Sequence, residues 1–298
     1  MIRNILLVRN DRFGEFLLNI PAIRALKETF LNSRITLAVD KSVVELAKMI
    51  GAVDEVVVWD DSLRKGLRKM KFDLFIALNP TKEAHWAAFI AGISIRLGYD
   101  RKWGFLLTHK LEDTKCVGDR HEVDCNLELV NLIGAKTENK TIALDKLPIE
   151  GSNEYRGAIA VHPFTSDPVK QWPVERFMEL ANRIAREMKA KVVLVGKAED
   201  RGQSPTGTVS SVNLVNKTSL VELAQVLKQC KLLVTCDSGP MHLAAVVGTP
   251  VIALFRNDLP GKNAKRWGPW GDGHTVIEKS KLEDISVDEA LKAIRSVL

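Results

Sequence analysis

The sequence predicts an α/β protein built from two doubly wound parallel-sheet domains. Three observations carry that expectation. Short, continuously apolar runs such as 5–8 and 232–235 have the composition of strands buried on both faces. Each run is followed by a segment with apolar residues at helical spacing, and strands alternating with helices in this way form parallel sheets covered on both sides. The series also starts afresh after 147–157, a Pro-, Gly- and Asn-bearing stretch that reads as a linker. The 298 residues thereby divide into 1–150 and 151–298, each of ordinary domain size.

In the first half, strand 5–8 runs into Asp11-Arg12-Phe13-Gly14 and then a helical pattern over 16–30, which Pro21 should kink or divide near Asn19. A strand over 35–39, a helix over 43–50, a strand over 56–59, a basic helix over 63–70 and a strand over 73–78 follow, with helices over 85–91 and 125–132. The second half reads as strand 158–161, helix 174–188, strand 192–195, helix 220–230, strand 232–235, helix 240–247 and strand 251–255. Ser219-Leu220-Val221-Glu222 and Ser286-Val287-Asp288-Glu289 both fit a capping box and mark two helix starts, the second beginning the last helix. Ligands of doubly wound sheets bind beyond the carboxyl ends of strands. The loops to inspect are therefore 9–15, 162–172 and 236–242.

Composition narrows the class of partner. Hydrophobic content of 46% and charged content of 27% are ordinary for a soluble globular chain. A net charge of +6 and a pI near 9.1 favour anionic partners: nucleic acid, an acidic lipid surface or phosphorylated small molecules. No nucleic-acid module is recognisable, so nucleic acid is not expected. The four cysteines form no C-x-x-C pair and no disulfide framework is expected, which points to a reducing compartment. The start of the chain lacks the features of a signal peptide, and the most apolar stretch, 243–255, is too short to span a bilayer and is broken by Gly248 and Pro250. The expected location is cytoplasmic, at most peripheral to the inner face of the cytoplasmic membrane.

The firmest local signal is Asp237-Ser238-Gly239-Pro240-Met241-His242, where a strand gives way to a helix with Pro240 in its first turn. Free N–H groups and the positive end of the helix dipole favour a phosphate there, the alternative being a plain N-cap turn. Loop 162–172 offers the hydroxyls of Thr165 and Ser166 and the charge of Lys170, suited to a leaving diphosphate, or simply a surface turn with a solvated lysine. The first loop holds Arg9, Asp11, Arg12, Gly14 and Glu15. A carboxylate beside a glycine turn suits a general base, although acidic residues are also common in the first turn of a helix. With no second or third glycine, the loop is not a dinucleotide fingerprint.

Together these segments resemble glycosyltransferase family 9, the ADP-heptose:lipopolysaccharide heptosyltransferases. The resemblance rests on 5–27, on Lys170-Gln171-Trp172-Pro173 with Phe177, on the run from Asp237 to Phe255, and on Trp267-Gly268-Pro269. It implies a GT-B fold, two Rossmann-like domains facing across a cleft, with the acceptor on the N-terminal side and the nucleotide sugar bound mainly by the C-terminal domain. It implies inverting transfer of a sugar, usually heptose from ADP-heptose, to a lipopolysaccharide-core-like glycolipid, with no metal and no cofactor. An acid of the first loop would deprotonate the acceptor hydroxyl: Glu15, with Asp11 in reserve, and with Arg12 and Gly14 on the acceptor side. Lys170 would stabilise the diphosphate, while Thr165, Ser166, Asp237, Ser238, Gly239, Pro240, Met241 and His242 would surround the donor.

The chain departs from the family pattern twice. Asp usually follows the loop glycine, and here Glu15 is one methylene longer. Arg256 stands where relatives often have Gly, which leaves room for a different donor base or sugar. The alternative activities are a sugar-nucleotide epimerase on the same scaffold and a non-catalytic nucleotide-sugar-binding protein. Two basic segments, Arg64 to Lys71 and Arg101 to Leu107, suit an acidic glycolipid or an anionic membrane face, or are solvated surface.

Overall fold

A computed structural model describes residues 2–148, 153–198 and 211–298. The chain forms two compact units, Met1–Lys146 and Leu147–Leu298. Residues 149–152 of the expected linker, and with them the 150/151 boundary, lie outside the described residues.

The first unit contains strands β1 (Asn4–Arg9), β2 (Arg34–Val39), β3 (Glu55–Val58), β4 (Leu74–Ala77), β5 (Ile95–Tyr99) and β6 (His109–Leu111). Its helices are α1 (Phe13–Leu17), α2 (Ile20–Thr29), α3 (Val44–Ala47), α4 (Asp61–Met70), α5 (Lys82–Ile90) and α6 (Glu122–Asn131). All strands are parallel, in the order β3-β2-β1-β4-β5-β6. The second unit contains β7 (Ile159–His162), α7 (Val174–Glu187), β8 (Val192–Leu194), β9 (Ser211–Asn213), α8 (Leu220–Gln229), β10 (Leu232–Cys236), α9 (Gly239–Val246), β11 (Val251–Arg256), α10 (Ala264–Trp267), β12 (Thr275–Lys279) and α11 (Val287–Val297). Its sheet is also parallel, in the order β12-β11-β10-β7-β8-β9. Numbered from its own first strand, each sheet runs 3-2-1-4-5-6, the doubly wound order.

The apolar runs behave as expected. Ile5 to Val8 and Leu232 to Val234 are fully buried between helix layers, which is why these strands need no polar face. The strand order reverses once in each sheet, between β1 and β4 and between β7 and β10, and at these switch points β1 ends on Arg9, β7 on His162, and Thr235 stands next to the end of β10.

Several elements differ from expectation for local reasons. The helix over 16–30 is two helices, divided near Asn19 as Pro21 suggested, with Pro21 in the first turn of the second. Buried Asn19 donates from Nδ2 to the carbonyls of Glu15 (2.8 Å) and Phe16 (3.1 Å), and its amide also donates to the Phe16 carbonyl (3.0 Å), so that one residue ties off the last turn of α1. The helix over 43–50 shrinks to α3: Asp40 accepts from the Ser42 amide and opens a 3-10 turn over Lys41–Val43 before it, and after it Met49 and Ile50 donate three residues back, to Leu46 and Ala47, which ends the α-helical ladder. Strands β5, β6, β9 and β12 were not read from sequence. Arg96 and Gly98 interrupt the apolar run of β5, and the other three are short or lie at sheet edges. The capping box at Ser219 is complete, with both reciprocal bonds present. At Ser286 the hydroxyl accepts from the Glu289 amide at 3.1 Å.

Candidate active site

At the first switch point β1 ends on Arg9, which is only 3% exposed. A buried guanidinium is tolerable only when its donors are satisfied, and three partners do this. Nη1 donates to the Leu78 carbonyl directly after β4 (3.0 Å), Nε to Asp11 Oδ1 (2.6 Å) and Nη2 to Glu15 Oε2 (3.2 Å). Burial opposes the charge of Arg9, but the carboxylates of Asp11, Glu122 and Glu15 more than offset it and raise its pKa. Arg9 thus gathers two acids above the seam between β1 and β4.

Glu15 lies in the first turn of α1, so its helical placement and its convergence on the cluster hold together. Burial, then the hydrogen bond and negative charge of Asp11, push its carboxyl up from 4.5 to about 7, against the pull of Arg9 and Arg12. Gly14 is not in a turn, as its position after Phe13 suggested. It is buried inside α1, because the helix starts at Phe13 immediately after an extended Arg12. Arg12 itself is exposed. Behind the cluster, Glu122 at the start of α6 is buried and accepts from Lys115 Nζ at 2.9 Å. The Lys115 ammonium lies 3.9 Å from the Tyr99 ring centroid.

The second switch point is built differently. His162 and Thr235 are paired in register at the ends of β7 and β10, and His162 Nδ1 lies 2.9 Å from Thr235 Oγ1. Ser238 Oγ completes the group, 3.0 Å from Thr235 Oγ1 and 3.3 Å from His162 Nδ1. Burial pushes the imidazole down to about 3, so it is neutral at physiological pH. The ring sits against Gly196, whose positive φ and lack of a Cβ are both required there.

Ser238 is the N-cap of α9 and its side chain makes no capping bond. The hydroxyl is engaged by His162 and Thr235 instead, while Pro240 contributes no amide hydrogen. Asp237, just ahead of the cap, accepts an ion pair from Lys170 Nζ at 2.5 Å; both side chains are largely buried. Met241 is fully buried and His242 nearly so. They pack within the helix layer, and the Met241 amide donates to the Ser238 carbonyl at 3.2 Å.

The loop carrying Lys170 is held by its neighbours in the motif. Trp172 is fully buried, donates from Nε1 to the Ile285 carbonyl (3.1 Å) and meets Phe177 edge to face at 4.8 Å. Gln171 folds the loop on itself, donating from Nε2 to the Pro163 carbonyl (2.6 Å) and accepting at Oε1 from the Thr165 amide (3.0 Å). The Thr165 hydroxyl accepts from the Asp167 amide at 3.2 Å, and Ser166 is exposed on the same loop. Arg256, at the end of β11, forms a two-pronged pair with Asp258 (2.6 Å each) and donates to the Val169 carbonyl (2.9 Å). The arginine that departs from the family pattern therefore buttresses the lysine loop.

Among the candidates from sequence, the structure brings together Asp11 with Glu15 and Lys170 with Asp237. Sequence names Arg9 in the first loop and Arg256 as a departure but gives neither a role, and it assigns nothing to His162, Thr235 or Gln171. For Arg9, His162 and Thr235 the signal is available, since each is a polar residue at or next to the end of an otherwise apolar strand.

Two parallel, doubly wound units match the GT-B fold of solved heptosyltransferase structures. The family model for glycosyltransferase family 9 (heptosyltransferase) matches residues 61–292. The chain belongs to this family and is a glycosyltransferase of heptosyltransferase-like kind. It is 22% identical to the lipopolysaccharide core heptosyltransferase OpsX of Haemophilus influenzae, over 88% of this chain and 81% of that one. Its fold matches the Escherichia coli ADP-heptose lipopolysaccharide heptosyltransferase II with a TM-score of 0.82 at 20% identity, over 99% of this chain and 98% of that one. It also matches E. coli heptosyltransferase WaaC with ADP, with a TM-score of 0.81 at 17% identity, over 99% and 100%.

Proposed function

We propose that the chain transfers heptose from ADP-heptose to a lipopolysaccharide-core-like glycolipid, with inversion at the anomeric carbon and without a metal ion. The observation that carries this reading is the convergence of Asp11 and Glu15 on buried Arg9 at the end of β1. It leaves Glu15 with a carboxyl near neutral pH, matched to a general base. Glu15 takes the proton from the acceptor hydroxyl as that oxygen attacks the anomeric carbon. The bond from that carbon to the diphosphate oxygen breaks, and ADP leaves from the opposite face, so a single displacement inverts the configuration.

The C-terminal unit, 151–298, holds the donor in this reading, and 1–150 serves the acceptor. Lys170 and the first turn of α9 supply the positive charge that the leaving diphosphate requires. Ser238 and Gly239 offer the backbone approach, while Thr165 and Ser166 offer hydroxyls from the neighbouring loop. Asp237 keeps Lys170 in place until the diphosphate arrives. Pro240, Met241 and His242 shape the helix start whose dipole faces the donor. The ADP-heptose donor is supported by the similarity to the E. coli enzymes named for it or holding ADP. The enzyme would work at the inner face of the cytoplasmic membrane, where a lipid-borne acceptor lies.

The test is to incubate the protein with ADP-heptose and a truncated lipopolysaccharide-core acceptor, with a chelator present. The expected product is the acceptor enlarged by one heptose, with ADP released. Epimerised donor, or donor binding with no product, would replace sugar transfer with one of the alternative activities; loss of product under chelation would overturn metal independence.

A further inference from the structure

One face of the N-terminal unit carries a group of exposed aromatic rings that catalysis does not use. Lys82, Trp86, Phe89 and Ile90 recur at helical spacing along α5, opposite the buried Ala84, His85 and Ala88. Trp103 and Phe105 join them from the turn after β5. Trp86 contacts Phe89 and Trp103, each at 6.0 Å between centroids, and Trp103 continues to Phe105 at 6.4 Å. Phe105 is 74% exposed. Monomeric proteins seldom leave contiguous apolar surface of this kind without a partner.

The turn is built to present these rings. Lys102 and Trp103 both have left-handed backbones, with φ of 47° and 70°, a conformation that costs non-glycine residues energy. Buried His85 holds it, with Nδ1 2.9 Å from the Lys102 carbonyl oxygen, while Leu106 and Leu107 anchor the following residues in the core. Gly104 is buried under the turn, where a Cβ would stand 2.5 Å from Asp100 Oδ1 and oblige that side chain to move.

Cations border the rings. Lys82 lies 5.6 Å from the Trp103 ring and the Arg96 guanidinium 5.6 Å from Phe89. Lys102 is exposed on the turn itself, Arg101 beside it is paired with Asp113 at 2.8 Å, and α4, packed beside α5 through Leu67, exposes Lys65, Arg68 and Lys69. A second copy of the chain would set cations against cations on this surface. An anionic bilayer complements both components: aromatic rings enter the headgroup boundary while lysine and arginine meet acidic headgroups.

We propose that the outer face of α5 and the Lys102–Phe105 turn form the membrane-docking surface of this protein, selective for anionic lipid. The proposal deepens only the peripheral-membrane part of the proposed function and stands without the sugar-transfer step. The test is sedimentation of the full chain with phosphatidylcholine vesicles with or without phosphatidylglycerol, at low and high salt. The wild type should partition to the phosphatidylglycerol vesicles and be released by salt. Trp86→Ser combined with Phe105→Ser should lower the partition coefficient at least about tenfold, and Lys82→Glu combined with Lys102→Glu by a similar factor. Lipids brominated on their acyl chains should quench tryptophan fluorescence in the wild type and not in a Trp86→Ser, Trp103→Ser double variant. Glu15→Gln should bind vesicles as the wild type does, so failure of the catalytic reading would leave this result standing. Unaltered melting of the variants shows that they fold. No partition by the wild type, equal partition into pure phosphatidylcholine, unchanged binding by the folded aromatic variant, or self-association in place of vesicle binding would each overturn the proposal.

Discussion

The two switch points occupy equivalent places in equivalent sheets, yet they are chemically opposite. At the β1–β4 seam one buried arginine gathers two acids, and the acids outnumber it. Crowding and burial leave Glu15 ready to accept a proton near pH 7. At the β7–β10 seam a neutral imidazole and two hydroxyls line the strand ends, and the charges are a paired lysine and aspartate before a helix start. That arrangement suits an incoming anion, because the helix dipole and Lys170 favour negative charge and His162 adds none. One topology therefore serves a proton-accepting site and an anion-accepting site, and the residue closing the first strand, Arg9 or His162, sets the difference.

The largest expected effect breaks the acidic side. Glu15→Gln should lower kcat by about 10²–10⁴-fold, the span of general-base catalysis, while calorimetry shows donor affinity unchanged. Full turnover by this variant would remove Glu15 from the chemistry. On the anionic side, Lys170→Ala should weaken donor binding and reduce kcat together, by about 10²–10³-fold in kcat as for loss of one transition-state charge partner. Wild-type values for both would place Lys170 outside the site.

The acidic pair can be sharpened through pH. Transfer requires the Glu15 carboxylate, so log(kcat/KM) should rise with pH and level off above about 7. Asp11 raises that carboxyl through both its hydrogen bond and its charge, so Asp11→Asn should move the rising limb to lower pH. An unmoved limb in steady-state profiles would break the coupling between the two acids.

The smallest effect concerns His162. Burial lowers its folded pKa from 6.5 to about 3, so the unfolded chain binds the proton more readily. Its contribution to stability is whole above about 6.5 and declines as pH falls toward 3. His162→Asn, which keeps polar atoms near Thr235, should flatten the fall in melting temperature between neutral and mildly acid buffer. An identical pH slope in wild type and variant would show that His162 does not titrate in this window.

Much of this was legible before any coordinates. Ile5 to Val8 and Leu232 to Val234 declare buried strands because only a sheet covered on both faces tolerates unbroken apolar runs. Pro21 placed the break between α1 and α2, and Ser219 with Glu222 placed the start of α8. Asp237-Ser238-Gly239-Pro240 and Lys170-Gln171-Trp172-Pro173 marked the second cluster, since turn chemistry and helix starts are written in adjacent residues. The edge strands β6 (His109-Lys110-Leu111) and β12 (Thr275-Val276-Ile277-Glu278-Lys279) escaped because they are short and carry charged residues, whereas β3, also at an edge, keeps an unbroken valine run that can be read.

The sequence by itself determined the two doubly wound units and the loops in which charge collects, because apolar periodicity and strand-to-helix punctuation are local properties; the family was legible through the resemblance of its motifs. Only the tertiary structure decided which charges meet. Arg9 reaches Leu78 across the seam between non-consecutive strands, His162 meets Thr235 through sheet register, and Lys170 closes on Asp237 across 67 positions of chain. The aromatic face of α5 likewise depends on a turn that His85 holds from the interior. Such pairings follow from the packing of strands and helices distant in sequence, and spacing along the chain does not encode them.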